Sequence, residues 1–150
     1  MPQSLSSILV HLVFSTKRRE PFISPDVESE LHAYMAAILR ECNSPAISIN
    51  GTTNHVHIFF ALSRTVTVAA LVEEVKKRSS KWIKTKGNKY RSFAWQTGYG
   101  AFSIGQSNVA ELKKYIAAQK EHHRLKSFEE EYRAFLAKYE IEFDEKYLWD

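Results

Sequence analysis

The chain has 150 residues, 44% hydrophobic and 25% charged, with one cysteine, which suits one globular domain with its own core, expected over residues 1–150, and leaves Cys42 as a small buried hydrophobe without a disulfide or zinc-knuckle role. No apolar run approaches the roughly 18 to 20 residues of a membrane span, and the N-terminus lacks a secretory signal pattern, so a soluble, cytoplasmic protein with no membrane partner is expected. The net charge of +4 hides an asymmetry: residues 1–126 carry +9 and residues 127–150 carry −5, which fits either a polyanionic partner held by the body of the domain or a solvated basic face.

Ser4–Ser15 (SLSSILVHLVFS) is apolar and rich in residues that favour strands, and Thr16–Pro21 (TKRREP) ends it with a basic turn. Ser24, Pro25 and Asp26 signal a helix start, and Leu31, Tyr34, Met35, Ile38 and Leu39 recur at helical spacing, which predicts a helix from about Pro25 to about Glu41. Ala46–Asn50 and His55–Leu62 read as two strands joined by the turn Gly51-Thr52-Thr53-Asn54. A second helix follows, with Val68, Leu71, Val72, Val75, Trp82 and Ile83 on one face and Lys77, Lys81 and Lys84 as a basic ridge on another. The stretch Arg64–Arg91 holds nine bases against two acids, Glu73 and Glu74. Phe93–Gln96 and Gly100–Ile104 suggest short strands, and Asn108 with Glu111 can cap a third helix, which carries Tyr115. Glu129–Tyr139 predicts a further helix, before an acidic, aromatic tail. The order β-α-β-β-α-β then helices predicts an α+β fold: a ferredoxin-like, split βαβ antiparallel sheet with helices on one face and an additional C-terminal tyrosine-bearing helix.

His55-Val56-His57 is the strongest local signal for chemistry, because side chains two apart on a strand share a face and can share one metal. Neutral imidazole suits Mn or Zn, or Mg when oxygen ligands complete the shell; the plain alternative is a polar sheet face. Tyr115 and Gln119, at i and i+4, can reach one site together. Gln119 falls where the apolar stripe Val109, Leu112, Ile116 would continue, so it needs a polar partner or a metal, while Tyr115 also reads as a half-buried aromatic. His122 and His123 form a competing pair, readable as helix-dipole partners or DNA-backbone contacts, and His11 reads as a core histidine or as a residue beneath the site. From Asn43 to Ala110 the only acids are Glu73 and Glu74, which argues against an all-carboxylate two-metal nuclease. No phosphate-cradling Gly-Lys-Ser/Thr loop is present, Phe59 replaces the third histidine of the triple-histidine nucleotide hydrolases, and paired His-x-Ser/Thr motifs of two-histidine phosphoesterases are missing.

The ordered set of His11, Ser15-Thr16-Lys17-Arg18-Arg19, His55-Val56-His57, Trp95–Ser103, Tyr115-Ile116 with Gln119, His122-His123 and Tyr147-Leu148-Trp149-Asp150 resembles the single-tyrosine HUH (His-hydrophobic-His) transposases. These are the TnpA-type proteins of the insertion-sequence 200/605 class. Asn54 stands where that family often has an acid. The resemblance implies that His55, His57 and Gln119 bind a divalent metal, Mg or Mn, and that Tyr115 attacks the scissile phosphate. It also implies a homodimer whose tyrosine helices dock on the partner's histidines, acting on single-stranded DNA with hairpins. Charge placement makes Lys17, Arg18, Arg19, Lys77, Lys81 and Lys84 candidate backbone contacts. The competing readings are a domesticated relative processing host repeat hairpins, a water-using metal phosphoesterase that leaves Tyr115 idle, and a non-catalytic module that binds single-stranded nucleic acid.

Overall fold

A computed structural model describes residues 2–150. Four antiparallel strands lie in the order β2-β3-β1-β4, where β1 is Leu9–Ser15, β2 Ala46–Gly51, β3 His55–Ala61 and β4 Gly100–Ile104. Helix α1 (Pro25–Glu41) links β1 to β2, and α2 (Val68–Ile83) links β3 to β4, so β3 lies between β1 and β2. This is the split βαβ arrangement expected from the element order.

Alternation along the two central strands decides what each face of the sheet holds. Val10, Leu12 and Phe14 of β1 and Val56, Ile58 and Phe60 of β3 enter one core with Leu31, Met35, Ile38 and Leu39 of α1 and Leu71, Val72 and Val75 of α2. The opposite face presents His11, His55, His57 and Phe59. Phe59 packs on Leu112 and Ile116 of α3 (Val109–Ala117), and Val13 packs with Phe128, Tyr132 and Leu136 of α5 (Phe128–Lys138). Helices α1 and α2 thus form the expected one-sided layer, and the tyrosine-bearing helix lies on the other side with α5 beside it.

Four local expectations are corrected. Strand pairing begins at Leu9, not Ser4, and residues 4–8 are exposed. Phe93–Gln96 makes a single bridge, Thr16 to Trp95, because β1 ends at Ser15 and leaves no neighbour to extend the ladder. Asn108 makes no side-chain cap: a 3-10 turn over Gln106–Asn108 runs into α3, so Asn108 lacks the extended backbone that a capping residue needs. Finally, α3 stops at Ala117, and Gln119 begins a separate short helix, α4 (Gln119–His122). The amide of Asn50 on β2 explains the break, since it donates to the Ile116 carbonyl at 2.9 Å and the Ala117 carbonyl at 3.3 Å.

Candidate metal centre and tyrosine

The β2–β3 hairpin sets the position of the two histidines. A Cβ on Gly51 would lie 2.2 Å from the His55 carbonyl oxygen, so only glycine permits this close turn. His55 pairs with Ser15 and His57 with Val13, and both imidazoles are fully buried. His55 Nδ1 lies 2.9 Å from Asn54 Oδ1 and 3.0 Å from Thr52 Oγ1. His57 Nδ1 lies 2.8 Å from Nε2 of His11, its diagonal neighbour on the same face. With both Nδ1 atoms engaged, both Nε2 atoms face inward.

Gln119 Oε1 meets His55 Nε2 at 3.0 Å, and its amide nitrogen donates to Glu131 Oε2 at 3.1 Å. Tyr115 donates its hydroxyl to the same Oε2, so Tyr115 and Gln119 converge despite the helix break. Glu131 Oε1 lies 3.0 Å from His57 Nε2, 3.1 Å from His123 Nε2 and 3.6 Å from His55 Nε2. Donor atoms of His55, His57, His123 and Glu131 all fall within 4.8 Å of one another.

This donor set fits a divalent cation. When His55 donates from Nδ1 to Asn54 and His57 from Nδ1 to His11, two imidazole lone pairs, the Gln119 oxygen and the Glu131 carboxylate face one buried space. Four acceptors without a shared proton repel, and a cation satisfies them together. Burial, with His57 beside it, pushes the His55 imidazole down to about 3, which keeps its ring neutral and fit to ligate. Burial likewise takes His11 down to about 3, with His57 adding to the effect. Without a cation the rings turn the other tautomer inward: burial opposes ionisation of Glu131, but His123 and His57 then donate from Nε2 to its Oε1 and hold it below the usual carboxylate range. Tyr115 moves up, because it is desolvated and bonded to an anion. A cleft of about 140 Å³, lined by residues including His11, Leu112, Tyr115, Phe135 and Tyr139, opens beside the phenol.

The other candidate residues divide by location. Lys17 and Arg18 are exposed on the turn after Ser15, at the His55 end of the sheet. Arg19 pairs with Glu129 at 3.4 Å and covers the Trp149 ring at 4.8 Å. Lys77, Lys81 and Lys84 are exposed at or just beyond α2, whose core residues pack on the sheet face opposite the histidines. Of the competing pair, His122 stacks on Tyr115 with centroids 4.6 Å apart, and His123 joins the cluster with His55, His57 and Glu131. Sequence reasoning missed Glu131. Its signal was an acid on the apolar stripe of α5, three residues after Phe128 and four before Phe135.

The sequence profile of the family described as "Transposase IS200 like" matches residues 4–119. That span contains His55, His57, Tyr115 and Gln119 and stops short of His123 and Glu131. Among solved structures, a candidate transposase from Deinococcus radiodurans R1 superposes with a TM-score of 0.62 at 16% identity, over 79% of this chain and 98% of that one. A REP-associated tyrosine transposase bound to a REP hairpin superposes with a TM-score of 0.59 at 12% identity, over 82% of this chain and 72% of that one. At these identities the likeness is one of fold. No curated protein shows significant sequence similarity.

Proposed function

The chain belongs to the family of IS200-like transposases, and from that premise we propose that it cuts and rejoins single-stranded DNA at hairpin-bearing element ends through a 5′-phosphotyrosine link to Tyr115. Residues 1–150 act as one domain, and the cofactor is a divalent ion, Mg or Mn. One observation carries the reading: the Tyr115 hydroxyl and the inward nitrogens of His55 and His57 meet on a single buried carboxylate.

An ion held by His55, His57 and Gln119 would draw charge from the scissile phosphate and orient it. Tyr115 Oη forms the new bond to phosphorus as the bond to the 3′ oxygen breaks. The phenol's proton passes to water, and the leaving 3′ oxygen takes one up from water, so that no net proton is gained or lost. The covalent link keeps the energy of the phosphodiester, so a free 3′ hydroxyl on another strand can reverse the step without ATP. Before DNA arrives, burial and the Glu131 anion keep the phenol protonated and unreactive.

Lys17, Arg18 and Arg19, at the His55 end of the sheet, suit the strand being cut. Lys77, Lys81 and Lys84, behind the sheet, suit a more distant part of the DNA such as the hairpin stem. A homodimer supplies the two sites that two broken ends require. The contacts of Tyr115 with its own chain's site support attack within one chain, rather than the exchange between subunits that the resemblance implies.

The test is incubation of the protein and Mn or Mg with a labelled single-stranded hairpin. Wild type yields a denaturant-resistant protein–DNA adduct and Tyr115→Phe yields none. Persistence of the adduct in Tyr115→Phe, or no cleavage with either metal, would sink the proposal.

A further inference from the structure

Glu131 lies beyond the span matched by the family profile, on a helix that carries none of the candidate residues named from the sequence. It is 2% exposed, and its only ion-pair partners among the described residues are three imidazoles, His55, His57 and His123. A carboxylate taken out of water without a cation costs several kcal/mol, so its burial calls for a positive partner.

The two carboxylate oxygens face different groups. Oε1 looks toward the imidazole nitrogens, at 3.0 Å from His57, 3.1 Å from His123 and 3.6 Å from His55. Oε2 takes the Tyr115 hydroxyl and the Gln119 amide. Ligand chemistry points the same way. Imidazoles suit Zn or Cu at least as well as Mg or Mn, and an anionic oxygen is what tilts a site toward the harder ions. The helix that carries Glu131 is firmly placed, by a capping box between Ser127 and Glu130 and by burial of Phe128, Tyr132 and Leu136.

We propose that Glu131 is both a ligand of the divalent ion, through Oε1, and the group that positions the Tyr115 hydroxyl, through Oε2. The proposal rests on the metal-assisted tyrosine reading above. It ties nucleophile and ion to one side chain of one subunit, so the distance between them is set by the width of a carboxylate.

Mn(II) binding to the full chain, followed by loss of the free-ion EPR signal, tests the first half. Glu131→Gln keeps the shape of the side chain and removes its charge, and should weaken binding by ~10-fold or more, while Tyr115→Phe should leave it unchanged. Near-UV circular dichroism checks the fold; if Glu131→Gln does not fold, Glu131→Asp carries the test, and its shorter carboxylate should also bind more weakly. The second half is read from the adduct-forming rate of Glu131→Gln at saturating Mn(II), which should stay well below that of wild type. Wild-type Mn(II) affinity in the folded variant, or full recovery of rate at saturating Mn(II), overturns the proposal. Those results leave the tyrosine reading standing, whereas a wild-type protein that binds no divalent ion removes the metal centre itself and this proposal with it.

Discussion

The Nδ1 of His57 lies 2.8 Å from the Nε2 of His11, and that contact governs which nitrogen of His57 faces the centre. His11→Phe keeps a ring in a site already lined by Phe102 and Phe135 but removes the partner of Nδ1. We expect divalent-ion affinity to fall by ~10- to 100-fold with the fold retained, as for other partners that orient metal-bound histidines; calorimetric titration with Mn(II) checks this, and unchanged affinity contradicts it. His55 and His57 are legible as a pair because strand spacing puts both on one face, whereas Tyr115 and Gln119 reach them across a helix break that i, i+4 spacing does not foresee. Glu131 is not legible, because no periodicity tells which distant carboxylate a fold returns to a sheet face; only its place among Phe128, Tyr132 and Phe135 hints at burial. Asn54, which departs from the acid often found there, still accepts the His55 ring in the orienting role.

At the scale of elements, the hairpin between β2 and β3 fixes the histidines. Gly51→Ala forces a methyl against the His55 carbonyl, so the turn must shift and His55 with it. This variant should melt several degrees lower, corresponding to a loss of ~1–3 kcal/mol, and should bind Mn(II) more weakly; wild-type melting and binding would contradict the account. The helices and the central strands were legible because their apolar residues recur at clean periods, and α1 spans Pro25–Glu41 as expected. The Phe93–Gln96 strand and the Asn108 cap failed for one shared reason: each depends on a neighbour, a paired strand or an extended cap residue, that local sequence does not specify. The break between α3 and α4 is of the same kind, since Asn50, which holds the end of α3, lies 66 residues before Ile116.

For the whole molecule, the sheet separates two tasks, with a largely apolar core under α1 and α2 and a polar centre under α3 and α5. Burying ionisable groups in that second layer makes the fold sensitive to acid. His11 and His55 sit at about 3 in the folded protein against an ordinary 6.5. Between those values the unfolded chain binds protons that the folded chain does not, so stability falls as pH falls through this window, by at most ~1.4 kcal/mol per pH unit for each group. Glu131, held below its ordinary range, acts in the same direction at lower pH. Thermal melting of the metal-free protein should therefore be nearly flat above pH 7 and drop steadily below about pH 6.5; a melting temperature independent of pH between 7 and 4 would contradict burial of neutral imidazoles. The central claim, that Tyr115 carries the DNA, is tested most directly by mass spectrometry of the covalent adduct after trypsin and nuclease digestion. Cleavage after Lys114 and Lys120 releases the peptide Tyr115–Lys120, and the account predicts a nucleotide phosphate on its tyrosine; a nucleotide on any other residue would contradict it.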